Sequence, residues 1–134
     1  MISTKQKSYI DIAISEAAKS TYRFRLGAVI IQNGRVLGKG FSQYRNSPIN
    51  VSDAHVKMCS VHAEADALRD AIGYFQQWPL KKATIYVARL NKANLLVLAK
   101  PCDRCTSLLL ANGVKCMIWT IDENQYGVSK VKKI

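Results

Sequence analysis

Negative charge and long apolar runs are the two things this sequence has little of. Nine acidic residues stand against twenty basic ones in 134, a net charge of +11 spread over both ends and several loops. Such a field attracts anions and speeds their encounter, which suits a phosphorylated or polymeric ligand better than a neutral one; the same excess also serves as a solvated basic surface. Although 49% of the residues are hydrophobic, their unbroken runs fall well short of the ~20 residues needed to span a bilayer. Met1-Ile2-Ser3-Thr4-Lys5 lacks the continuous apolar core of a signal peptide, so the expected location is a reducing cytoplasm without membrane association. No linker, repeat or low-complexity tract divides the chain, and its length fits a single domain over residues 1–134 that buries roughly two thirds of its unfolded surface. With no export signal, the four cysteines argue for thiolate chemistry or burial rather than a disulfide scaffold.

The chemistry concentrates in two short stretches. Ser60-Val61-His62-Ala63-Glu64 is followed forty residues after His62 by Pro101-Cys102-Asp103-Arg104-Cys105. One imidazole and two thiolates make three zinc ligands and leave a tetrahedral ion with one open position for water, while Glu64 is a carboxylate free for proton transfer. A redox C-x-x-C explains neither His62 nor Glu64. A purely structural zinc site needs no proton shuttle, which weighs against a non-catalytic zinc-stabilised binding domain. Cys59 is near enough to His62 in sequence to act as a fourth ligand, which would close the site; otherwise Cys59 and Cys116 read as small buried hydrophobes.

His62-Ala63-Glu64 with Pro101-Cys102-x-x-Cys105 resembles the H-x-E…P-C-x-x-C signature of the zinc-dependent cytidine and deoxycytidylate deaminase superfamily. The resemblance implies an α/β, three-layer cytidine-deaminase-like fold and Zn²⁺ held by His62, Cys102 and Cys105. It further implies hydrolysis of cytosine to uracil with Glu64 carrying the proton, and the backbone N–H of Ala63 holding the pyrimidine carbonyl. In related deaminases an asparagine just after the second strand contacts the sugar or phosphate. Ser42 takes that place here, with Tyr44, Arg45 and Asn46 as stand-ins and His55 within reach of the mouth. Families of this type commonly assemble into homo-oligomers. The substrate is expected to be a cytidine nucleotide, dCMP or CMP, with cytosine in single-stranded DNA or RNA as the alternative. In that alternative Tyr44, Trp78, Trp119 or Tyr126 stack bases.

Pattern supplies the remaining elements. Ile10, Ala13, Ile14, Ala17 and Ala18 predict a helix from Ser8 to Lys19 with Ser8 as cap. Leu26 to Ile31 and Arg35 to Phe41 flank Asn33-Gly34, the dipeptide of a type I′ hairpin, and predict antiparallel strands. Ser60 is expected to cap a second helix with Val61, Ala65, Leu68 and Ile72 on its apolar stripe. Ala83 to Arg89 reads as a third strand returning beside the first, and the intervening helix permits a parallel pairing. Leu95-Leu96-Val97-Leu98 makes the following connection unusually apolar and is expected to cover the core or, failing that, to form a subunit interface. Pro101 opens a third helix that ends at Asn112-Gly113. Val114 to Ile121 and Val128 to Ile134 form a C-terminal antiparallel hairpin, since the gap between them is too short for a crossover. The sum is a mixed five-stranded sheet with about three helices.

Overall fold

The computed structural model describes residues 2–44, 60–75, 80 and 82–130. Helix α1 (Thr4–Lys19) starts one turn earlier than predicted. Ser3 and Gln6 form a reciprocal capping box, the Ser3 hydroxyl accepting from the Gln6 N–H at 3.1 Å and the Gln6 side chain from the Ser3 N–H at 2.9 Å. Ser8, the predicted cap, donates instead to the Lys5 carbonyl from inside the helix.

Strands β1 (Arg25–Gln32) and β2 (Arg35–Phe41) form the predicted hairpin, pairing Gly27 with Phe41 through Gln32 with Arg35. Both turn residues adopt positive φ, 53° at Asn33 and 75° at Gly34, which the type I′ turn demands. Two short strands, β3 (Gln43–Tyr44) and β4 (Ser60–Val61), pair antiparallel outside the main sheet. Helix α2 (Ala63–Phe75) leads to β5 (Ala83–Leu90), β6 (Leu96–Val97), helix α3 (Asp103–Ala111), β7 (Val114–Thr120) and β8 (Tyr126–Lys130). Sheet order is β2-β1-β5-β7-β8, with β6 added against the end of β5. Among the described residues, three helices pack with a mixed sheet of five strands and one extra strand, ending in the C-terminal antiparallel pair that the sequence predicts. Residues 131–134, the end of the predicted last strand, lie outside the described residues.

Strand β5 runs antiparallel to β1, not parallel. The crossover through α2 departs from β2, so β5 returns parallel to β2 with the oppositely directed β1 between them. The second crossover, through α3, does give a parallel pair, β5 with β7.

Alternation along β1 divides the interior into two layers. Val29 and Ile31 face α1 with Ile10, Ala13, Tyr86 and Ile118, whereas Ala28 and Ile30 face the other side with Ala67, Leu68, Ile85, Leu109 and Trp119. Trp119 belongs to that core and is not presented for base stacking. Among the described residues, no helix is long and apolar enough to cross a membrane. The Leu95–Leu98 segment does not cover the core as a unit. Leu96 and Val97 are half-buried in β6, but Leu95 and Leu98 are 52% and 53% exposed because the short hairpin turns them outward.

Helix α2 approaches β2 so closely that no side chain fits between the backbones. The helix presents Ala63, Ala67 and Ala71 together with Leu68 and Ile72 of the predicted stripe, and the strand answers with Gly38 and Gly40. A Cβ on Gly40 would meet the Ala67 nitrogen at 2.5 Å and the Ala63 carbonyl oxygen at 2.7 Å. Gly40→Ala is therefore expected to destabilise the protein by about 1–3 kcal/mol through overpacking. Gly73→Ala, in the same helix with open space around it, should be neutral or stabilising by up to about 1 kcal/mol. Urea unfolding of the two variants checks this, and equal midpoints would contradict the close-packing account.

Candidate active site

Two helix N-termini bring the site together. The His62 carbonyl accepts the Asp66 N–H at 2.9 Å, the first bond of α2, so His62 rather than Ser60 occupies the cap position. Ser60 is unavailable for capping because its backbone pairs with Tyr44 in the β3–β4 ladder. At α3, Cys102 is the cap: its Sγ accepts the Cys105 N–H at 3.5 Å and its carbonyl accepts from Thr106 at 2.8 Å. Pro101 stands just before this cap rather than in the helix, where it fixes the entry of the chain.

These caps place His62 Nδ1 3.3 Å from Cys105 Sγ and 3.9 Å from Cys102 Sγ, and all three ligand atoms fall within 4.8 Å of one another. Tetrahedral zinc with N and S ligands at about 2.0–2.3 Å separates those atoms by roughly 3.6–3.8 Å, so the spacing fits a single ion. The three side chains are positioned to bind a metal, and the start of α3 favours thiolate there, the Cys105 N–H donating to Cys102 Sγ. Without the metal, burial pushes the Cys105 thiol well above its ordinary range, and the neighbouring Glu64 and Cys102 push it the same way. Such a thiol carries its proton until a cation displaces it.

Glu64 is 4% exposed, and its Oε1 has no hydrogen-bond partner among the described residues. Burial raises its pKa, partly offset by its own backbone N–H, His62 and Cys105. A buried carboxylate oxygen without a partner is unfavourable in a finished structure, and here it stands beside the metal-binding cluster.

A cavity of about 390 Å³ opens at His62. Tyr22 and Phe24, from the turn before β1, form one wall; Arg89, Leu98 and Lys100 form another.

The family model for the cytidine and deoxycytidylate deaminase zinc-binding region matches residues 3–121. The chain belongs to this deaminase family. Membership supports a zinc-dependent hydrolase, with zinc as the cofactor that His62, Cys102 and Cys105 are placed to hold. Among curated relatives, the chain is 27% identical over 129 residues to deoxycytidylate deaminase of Mycobacterium phage D29, covering 83% of this chain and 90% of that one. It is 25% identical over 118 residues to the chloroplastic tRNA(adenine(34)) deaminase of Arabidopsis thaliana; the match takes in 87% of this chain but only 8% of that much longer protein. Among solved structures, cytidine deaminase from Burkholderia pseudomallei superposes with a TM-score of 0.71 over 96% of this chain and 93% of that one, at 18% identity, a likeness of fold.

Of the substrate contacts predicted for the deaminase, Ala63 is the buried first residue of α2. Ser42 reaches the cavity wall, yet it is only 2% exposed and its hydroxyl is engaged with backbone: it accepts the Leu26 N–H at 2.9 Å and donates to the Phe24 carbonyl. Ser20 also hydrogen-bonds to it, so Ser42 locks the turn carrying Tyr22 and Phe24. Tyr44 is placed by its backbone in β3, whereas Arg45, Asn46, His55, Cys59 and Trp78 lie outside the described residues. Cys116, read from sequence as a buried hydrophobe, is half-buried against the α1-side core. Sequence reasoning missed Arg89 and Lys100. A cation ending an otherwise apolar strand and another directly before Pro101 were the available signals.

Proposed function

We propose that the deaminase hydrolyses the exocyclic amine of cytosine in a free cytidine nucleotide, dCMP or CMP, giving uracil and ammonia. The observation that carries this reading is the unpartnered, buried Oε1 of Glu64 beside the His62, Cys102 and Cys105 cluster. When bound there, zinc supplies a water acidic enough to yield hydroxide near neutral pH.

Glu64 takes one proton from the attacking water and delivers it to the ring nitrogen next to the amino-bearing carbon. It then takes the second proton, from the hydroxyl now on that carbon, and passes it to the amine, which leaves as ammonia. Burial raises its pKa, which favours its accepting a proton. The Ala63 N–H, at the first residue of α2, holds the pyrimidine carbonyl.

A nucleotide is preferred to a nucleoside because the net charge is +11 and Arg89 and Lys100 both line the cavity. The deoxycytidylate deaminase relative supports the same choice. The relative acting on tRNA and the surplus charge favour a second reading, a polynucleotide substrate. Incubating the zinc-loaded protein with dCMP, CMP, deoxycytidine and a cytosine-containing single-stranded oligonucleotide separates the two. Uracil is expected from the mononucleotides; turnover of the oligonucleotide alone, falling steeply as salt rises, would overturn the preferred substrate.

A further inference from the structure

Arg89 is an unusual residue to find at the end of β5. Its Nε is buried without a hydrogen-bond partner among the described residues, while its guanidinium carbon lies 5.0 Å from the centre of the Phe24 ring. Stacking fixes the plane of the guanidinium but satisfies none of its N–H groups.

The backbone beneath it is held firmly. Thr120, fully buried, accepts the Arg89 N–H at 3.3 Å and donates to the Val97 carbonyl at 2.8 Å, and Arg89 pairs with Val97 in the β5–β6 ladder. The hairpin of residues 91–97 is pinned in turn by Arg25, which donates to the Asn94 side chain at 2.7 Å, and by Glu123, which accepts the Leu96 N–H at 2.6 Å. This connection, longer than the metal site requires, thus fixes Arg89 and carries Leu98 and Lys100 to the same cavity. None of the described residues lining that cavity is acidic. Two cations and a metal ligand around one cavity of about 390 Å³ make a pocket near the lower end for small-molecule sites, sized for one nucleotide.

We propose that Arg89, assisted by Lys100, binds the phosphate of the substrate nucleotide and sets the preference for nucleotide over nucleoside. The proposal rests on the nucleotide reading above and names its specificity residue. Arg89 offers a planar fork already oriented by Phe24, so a phosphate gains paired hydrogen bonds with little further ordering of the side chain. Lys100 adds a point charge from the exposed rim.

The test pairs turnover with binding, in zinc-loaded wild type, Arg89→Gln, Arg89→Lys and Lys100→Gln. In Arg89→Gln the ratio of kcat/KM for dCMP to that for deoxycytidine is expected to fall about 10- to 100-fold, the scale of charge-assisted hydrogen bonding, with most of the change in KM for dCMP. Arg89→Lys should recover part of it, and Lys100→Gln, at an exposed position that leaves folding intact, should shift the ratio the same way by less. An unchanged ratio, with both substrates falling together, would make Arg89 a structural residue and overturn the proposal. If only an oligonucleotide reacts, a shallower salt dependence in Arg89→Gln moves the source of the phosphate to a strand, whereas an unchanged slope overturns the proposal. Calorimetric binding of dCMP and deoxycytidine does not depend on turnover. A dCMP preference in wild type that Arg89→Gln erases supports the phosphate contact even if no deamination is found; equal affinity of wild type for the two ligands rejects it.

Discussion

Replacing Glu64 by Gln is expected to leave zinc content near one per chain while reducing kcat by about 10²- to 10⁴-fold, the range for loss of a positioned acid–base group. Gln keeps the shape of the side chain and cannot carry the proton, so the loss should fall on kcat, with binding of dCMP retained. The variant also isolates an electrostatic effect in the metal-free protein. Burial raises the Glu64 pKa, so the folded state holds this proton more tightly than the unfolded chain does. The associated stability is full below the ordinary carboxylate range and is lost as pH rises through the raised value. Metal-free Glu64→Gln should lack that decline, and thermal unfolding between pH 4 and 8 measures it. Wild-type turnover by Glu64→Gln would refute the assigned proton transfer.

Cys105→Ser is expected to abolish stoichiometric zinc and to lower stability by an amount set by linkage. With free zinc at about 1,000 times its dissociation constant, binding stabilises the fold by about 4 kcal/mol, or roughly 10–15 °C in Tm for a domain of this size. Elemental analysis and thermal scans check both. A chelator should bring wild type down to the variant's Tm and leave the variant unmoved. Because burial keeps the Cys105 thiol protonated in the metal-free protein, zinc uptake by wild type should also release a proton from it, seen as a buffer-dependent binding enthalpy; the variant should show no such release. Full zinc retention by Cys105→Ser would remove that thiol from the ligand set.

The elements that could be read directly were those whose signals are local. Asn33-Gly34 fixes its own turn, and the H-x-E and P-C-x-x-C stretches carry their ligand chemistry in adjacent residues. Misreadings arose where a distant partner decides. Ser60 has a good capping side chain, but strand β3 claims its backbone and moves the cap to His62. The direction of β5 depends on which strand starts the crossover, a question of sheet order that no window of sequence contains. Arg89 acquires meaning only once Phe24, Lys100 and His62, far apart along the chain, border one cavity. The glycines of β2 were likewise silent until α2 was seen resting on them.

Thr120 has a reach out of proportion to its size. Its hydroxyl bridges Arg89 and Val97, and its carbonyl accepts the Ala99 N–H at 2.9 Å, two residues ahead of Pro101. One small side chain and its peptide thereby couple the arm that carries Arg89 to the approach of the cysteine helix. If that arm reads the phosphate as proposed, remodelling it for a different substrate is expected to shift Cys102 and Cys105 as well, so that selectivity and zinc affinity change together.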